Sequence, residues 1–344
     1  MTIQQRPMAA DLYGDLIPSA PRKWRDYPAG LAVICAATLA AGYLTDRYGA
    51  PLTLMALLIG LALNFLSTDQ RLSAGLSVAS GPALRLGIVL LGARVTLEQI
   101  ADLGPTALIA VMCIVTVTIC SGVVVARMAG AGAAFGVLAG ASVAICGASA
   151  ALAVAAVLGQ RRIDRAQLAS VLVGIAALSA TAMFTYPIIA HMIDLNDRQA
   201  GFLFGAAIHD VAQAIGAGYS FSPPAGETAA IVKLTRVALL APVLTIVSLA
   251  FPRDAHGPRA IRFPLFVLGF FAMAGVNSFG LVPSGVAHYL NSSATALLAG
   301  AVAATGIRAP MAALRGGGLR PILIIVVPTL AALLLAVTVA HLLI

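Results

Sequence analysis

The sequence is short of charge. Only 10% of its 344 residues are Asp, Glu, Lys or Arg, against about 25% in soluble domains, so water is not the main solvent of the folded chain. Aromatic residues are also few, 6% with Trp24 the single tryptophan, which leaves no stacking platform for nucleic-acid bases. The four cysteines, Cys35, Cys113, Cys120 and Cys146, lie inside apolar runs without metal-ligand spacing. There they read as small packing residues rather than halves of disulfides. No glycine–lysine phosphate loop is present, so ATP does not drive the protein directly. These absences exclude a cytoplasmic enzyme, a nucleic-acid binder and a secreted disulfide scaffold, and they imply no cofactor and no metal.

What the chain does have is apolar length. Hydrophobic residues make up 60% of it and the mean hydropathy is +0.98. Eleven apolar segments stand between polar breaks, at about 28–45, 51–66, 82–95, 105–127, 132–158, 167–193, 199–219, 226–251, 264–280, 286–306 and 321–343. Most are long enough to cross a bilayer as a helix, and they lack the period-two alternation of a membrane barrel. The expected fold is an all-α polytopic membrane protein of about 11 transmembrane helices. Segment 82–95 is the weakest of them, because it is short and holds Arg85.

Residues 1–27 are polar and read as a cytoplasmic N-terminal tail, with 28–344 as a single transmembrane transporter domain. No signal-peptide core precedes the first span, so membrane targeting rests on that span. The chain carries 21 Lys+Arg against 13 Asp+Glu. Most loop cations fall on one side if the N-terminus is inside, as the positive-inside rule expects; Arg161, Arg162 and Arg165 fall on the other side. The expected location is a bacterial inner membrane. The expected partners are the lipid bilayer, a small anion, a coupling H⁺ or Na⁺ and a second copy in a homodimer, with no nucleic acid.

Transporters are often built from inverted repeats, and two registers compete here. In the first, Arg85-Leu86 matches Lys233-Leu234, and Cys146-Gly147-Ala148-Ser149 matches Ser292-Ser293-Ala294-Thr295. It gives one leading helix and two inverted five-helix repeats with interrupted helices, at about 51–193 and 199–344, and is preferred because it uses ten of the eleven segments. In the second, Pro51, Asn64, Arg94 and Pro105 match Pro264, Asn277, Arg308 and Pro321, leaving the middle segments without partners.

Polar residues that are costly in lipid mark cavities, partners or substrate paths. In the fifth segment Gly136, Gly140, Gly147, Ser142 and Ser149 surround Cys146. A helix interrupted there would present free backbone N–H groups at the midplane; tight helix packing by small residues is the plainer reading. The seventh segment holds Asp210, the one carboxylate deep in an apolar run, with Gln213 on the same helical face and His209 beside it. This trio could bind Na⁺ or carry a proton, or Asp210 could simply neutralise a buried cation. In the eighth segment Lys233 and Arg236 share a face. If Arg85 joins them, one carboxylate cannot neutralise all three and the site favours an anion; snorkelling of Lys233 or Arg85 is the plainer alternative. In the tenth segment Asn291-Ser292-Ser293 mirrors the fifth in the first register and would start a second half-helix, or merely cap one.

The candidate substrate-facing set is therefore Arg85, Cys146, Gly147, Ser149, Lys233, Arg236, Asn291, Ser292 and Ser293, with His209, Asp210 and Gln213 for ion coupling. Arg236→Ala is expected to abolish anion flux while leaving folding intact. The second transporter reading moves an organic solute with H⁺ or Na⁺. A remote alternative is an intramembrane hydrolase using Cys146 or Ser149 with His209, which needs hydrogen-bond reach between them.

The stretches Leu86-Gly87-Ile88-Val89-Leu90-Leu91-Gly92-Ala93-Arg94, Ile145-Cys146-Gly147-Ala148-Ser149-Ala150, Ala207-Ile208-His209-Asp210-Val211-Ala212-Gln213 and Val232-Lys233-Leu234-Thr235-Arg236-Val237 carry a resemblance. With Phe266-Val267-Leu268-Gly269-Phe270 ahead of Asn277-Ser278, the chain resembles the YeiH-type bacterial membrane proteins, a family named for sulfate export. The likeness covers essentially everything after the tail. It implies a relation to the cation/proton antiporter and anion transporter superfamily, with inverted five-span repeats and two crossed, interrupted helices. It brings no established binding residues with it.

Overall fold

The computed structural model describes residues 24–48, 51–159, 161–251, 265–309 and 319–344. Most of the expected N-terminal tail therefore lies outside the described residues. The described ones form helices and turns, with no strand among them. The elements that matter below are α1 (Pro28–Tyr48), α2 (Leu52–Ala62), α3 (Gln70–Arg94) and α4 (Gly104–Met128), followed by α5 (Ala133–Ala144), α6 (Ala148–Leu158), α7 (Arg165–Met192), α8 (Asp197–Ala207) and α9 (Val211–Phe221). The chain then continues through α10 (Pro223–Ala250), α11 (Leu265–Ser278), α12 (Ser284–Ile307) and α13 (Leu319–Leu343). Among the described residues seven helices are long and apolar enough to cross a membrane, and α2, α5, α6 and α11 are shorter apolar helices. The protein is an all-α polytopic membrane protein.

Each expected apolar segment falls on one helix or on two helices end to end. The weak segment at 82–95 is the second half of α3, which begins at Gln70. Polar Gln70-Arg71 and Pro82 hid its start. Proline has no N–H for the ladder, and α3 absorbs the loss in a π-helical turn at Ala79–Ala83 instead of ending. All four cysteines are free, as expected of residues that form no disulfide; Cys146 is buried, and Cys35, Cys113 and Cys120 are exposed.

The helices pack as two bundles. Helices α4 to α10 with α13 form one, and α1 to α3 with α11 and α12 form the other. They meet chiefly where α9 lies against α2 and α12, and the Thr53 hydroxyl donates to the Gly216 carbonyl across this seam at 2.9 Å. Within the smaller bundle the polar contacts come in matched pairs. Asn64 Nδ2 donates to the carbonyls of Ile307 at 2.9 Å and Ala309 at 2.6 Å, just past α12. Asn277 Nδ2 donates to Val95 O at 3.2 Å, just past α3. Arg94 at the end of α3 bonds Asn291 and Thr295 of α12, while Arg308 at the end of α12 bonds Ser80 of α3 at 2.8 Å. Asn64, Asn277, Arg94 and Arg308 are residues that the second register matches. The first register required a break in the tenth segment at Ser292, and α12 runs unbroken through it.

Candidate functional site

Two segments of the larger bundle are interrupted. The fifth breaks at Ile145–Gly147, between α5 and α6, and the seventh breaks at Ile208–Asp210, between α8 and α9. Interruption leaves the last carbonyls of α5 and α8 without helical partners, in a region with no water to serve them. The chain supplies those partners from α10. Lys233 Nζ donates to Ile145 O at 2.8 Å and to Ile208 O at 2.6 Å, one carbonyl from each break. Arg236 Nε donates to Ala144 O at 2.7 Å, its Nη2 to Val143 O at 2.9 Å, and its Nη1 to Gly205 O at 2.8 Å and Ile208 O at 3.2 Å. Both side chains are 0% exposed, so neither snorkels. A cation at a helix carboxyl end also faces the negative pole of the helix dipole. The two breaks are stapled together by one lysine and one arginine.

This geometry corrects several expectations. Arg236 uses its nitrogens on carbonyls, not on Asp210. The cations meet carboxyl ends of half-helices, where amino ends were expected. Arg85 is exposed on α3, because that helix turns Gly87, Ile88 and Leu91 inward instead; it does not join Lys233 and Arg236. Asn291, Ser292 and Ser293 lie in the other bundle on continuous α12, with Ser292 and Ser293 exposed. They are not brought to the stapled centre.

The amino ends of α6 and α9 differ. Asp210 is the N-cap of α9, its carboxylate accepting from Gln213 N at 3.1 Å, and its own N–H donates to Ser179 Oγ at 2.9 Å. A carboxylate there suits the positive helix end. The N-cap of α6 is Gly147, at φ 67° and ψ −121°, which has no side chain to give. Beside it Ser149 is exposed, and its hydroxyl donates to Cys146 Sγ at 2.8 Å. Of four helix ends meeting at the breaks, three are met by charged side chains and the amino end of α6 is not.

His209 is fully buried and shares a 3.0 Å hydrogen bond with Thr329 of α13 through Nε2. Its Nδ1 and the Oε1 of Gln213, which is 1% exposed, have no partner; such orphans mark a place for a water, an ion or a ligand. With His209 on Thr329 and Ser149 on Cys146, the nucleophile–base contact that the hydrolase alternative requires is not made. Sequence reasoning missed Ser179 and Thr329, whose only signal was a hydroxyl within an apolar run. No group of His, Cys, Asp and Glu that could hold a metal ion occurs among the described residues.

Close approach of α10 lets its cations reach the breaks, and glycine permits it. A Cβ on Gly205 would lie 2.7 Å from Ala229 O and from Val232 Cβ, well inside contact distance. Gly205→Val is therefore expected to push α10 outward and reduce the yield of folded protein severalfold, read as the monodisperse fraction on size exclusion. A wild-type fraction would show that α10 tolerates displacement.

An all-α membrane protein with a buried centre made of two stapled, interrupted helices is the class these observations define. Comparison with known proteins gives the family. A family described as "Conserved hypothetical protein 698" matches residues 29–325. A UPF0324 membrane protein of Chlorobaculum tepidum is 43% identical over 310 residues, 89% of this chain and 86% of the relative. UPF0324 membrane proteins named TauZ are 44% identical in Paracoccus pantotrophus and 43% in Paracoccus denitrificans, each over 85% of this chain and 88% of the relative. The chain belongs to this UPF0324 family, the YeiH-type membrane proteins. No solved structure matches it.

Proposed function

We propose that the protein is a secondary transporter of a small anion, sulfate or a related sulfur oxyanion, which it exports using an ion gradient. The observation that carries this reading is the amino end of α6. It lies beside exposed Ser149 at the junction of two broken helices; its N-cap, Gly147, has no side chain, and the Cys146 sulfur near the Ala150 N–H is uncharged. Such an end is a ready place for an oxyanion. Gly147, Cys146 and Ser149 then face the substrate, and Lys233 and Arg236 lie behind it as the frame that holds the end in place. Asp210, with the unpartnered Oε1 of Gln213 close by on α9 and His209 next to it in the chain, is the coupling group for H⁺ or Na⁺. The N-terminus lies in the cytoplasm of a bacterium, the protein sits in the inner membrane, and a homodimer is the working unit.

A second reading keeps the fold and changes the cargo to an organic solute moved with H⁺ or Na⁺. The engagement of every Arg236 nitrogen with carbonyls favours it, since less positive charge is then left for an anion. Uptake of radiolabelled sulfate into inverted vesicles, competed with sulfite, a short alkanesulfonate and a carboxylate, separates the two. Competition by the carboxylate alone rejects the oxyanion reading.

Asp210→Asn tests coupling. Asparagine caps a helix as well as aspartate does, so the variant is expected to fold. It should lose gradient-driven accumulation about tenfold or more, as removal of a charged ligand predicts, and keep sulfate exchange at zero gradient. Equal loss of both activities would show that Asp210 does not couple.

A further inference from the structure

Away from the stapled breaks, a cavity of about 610 Å³ opens between α1, α3 and α12. We infer that it is a second binding site and that its ligand is a zwitterion, with an oxyanion at one end and a protonated amine at the other. The inference does not depend on the transport reading above, since the cavity shares no residue with the breaks.

Arg94 and Asp46 both line this cavity, together with Thr38, His288, Asn291 and Ser292. Arg94 is hydrogen-bonded by neutral groups, with the Glu227 carboxylate of α10 acting on it from the side away from α1 only at a distance, without an ion pair. Its Nε donates to Asn291 Oδ1 at 3.2 Å, and its Nη2 donates to Asn291 O at 2.9 Å and Thr295 Oγ1 at 2.7 Å. Its guanidinium carbon also lies 5.5 Å from the centre of the Tyr219 ring. Among the described residues neither Arg94 nor Asp46 makes an ion pair, and both line the one cavity. A simple anion would satisfy Arg94 and be repelled by Asp46, and a simple cation would meet the reverse. A ligand bearing both charges satisfies both, with the Ser292 hydroxyl and the His288 ring available to its oxyanion end.

Leu39 and Tyr43 are also in the wall and are 70% and 68% exposed, so the cavity borders the lipid-facing surface. The same chemistry can therefore arrive as a free aminosulfonate or aminophosphate, or as a phosphoethanolamine headgroup; pockets of this kind between transmembrane helices hold lipid heads.

Calorimetry on the purified full-length chain, with 2-aminoethanesulfonate, 2-aminoethyl phosphate and ethanesulfonate as probes, tests the inference. Asp46 is exposed near the end of α1, so Asp46→Asn is expected to fold. It should weaken the two zwitterions about tenfold, the loss of one charge-assisted contact, and leave ethanesulfonate unchanged or tighter. Arg94→Gln should weaken all three, with Arg94→Lys, which keeps the charge, recovering part of the loss. Native mass spectrometry from nanodiscs of phosphatidylethanolamine or phosphatidylglycerol supplies the lipid arm. Retention of the former alone, lost in Asp46→Asn, identifies the headgroup as the source and supports the site. Equal response of zwitterion and ethanesulfonate to Asp46→Asn overturns the inference. So does equal retention of the two lipids, or binding of neither the free zwitterions nor the ethanolamine lipid.

Discussion

Arg236→Ala is expected to remove most of the folded protein from the membrane, with flux falling in proportion. Its guanidinium serves four carbonyls, those of Val143, Ala144, Gly205 and Ile208. Each buried carbonyl left without a donor costs about 1–3 kcal/mol, against a total stability of about 5–15 kcal/mol for a typical domain. Arg236→Lys should recover little, because an ammonium has three donors on one atom and cannot replace the four hydrogen bonds that the guanidinium spreads over Val143, Ala144, Gly205 and Ile208. Size-exclusion profile and thermal midpoint, measured beside sulfate flux, decide the matter. A monodisperse variant at wild-type yield with no flux would return Arg236 to the role of a direct substrate ligand, as the sequence alone suggested.

Gly147→Val should separate the two readouts. At φ 67° and ψ −121° the residue occupies a region that side chains with a Cβ avoid, at about 1–3 kcal/mol, and β-branching makes it worse. An added Cβ would also lie 3.1 Å from Ile175 Cγ2. The break would have to rotate its peptide groups to relieve the strain, re-aiming the amino end of α6. The expected result is a moderate loss of folded protein and a loss of flux per folded molecule of about tenfold or more, since misaligned donors forfeit most of a charge-assisted contact. Wild-type flux per folded molecule in Gly147→Val would falsify a role for the geometry of this break.

Much of the architecture was legible because apolar run length is a direct consequence of bilayer thickness, and α1, α4, α7 and α13 are read almost to their ends. The break at Gly147 was legible too, since a glycine among small residues and a hydroxyl is where a membrane helix can part. The break at Asp210 carried an equally good signal that face-counting concealed. Asp210-Val211-Ala212-Gln213 has the spacing of a helix start, as do Thr96 with Gln99, Asp164 with Gln167 and Asn196 with Gln199, all of which open helices. Reading Asp210 and Gln213 as neighbours on one continuous helix obscured the cap. The partners of Lys233 and Arg236 were not legible, because they are backbone carbonyls, and the sequence does not mark which carbonyls a broken helix leaves free. The break expected at Ser292 is absent for a related reason: Ser292-Ser293 resembles a helix start by residue type, but α12 runs unbroken through it.

The joint at Lys233 has a mechanical corollary. Two severed rods riveted to one strut cannot part without exposing bare peptide oxygens to oil. In the transport cycle proposed above, a motion that carried one break across the membrane would have to carry the other with it. The surface available for that gliding is the narrow one where Val211–Phe221 rests on Leu52–Ala62 and Ser284–Ile307.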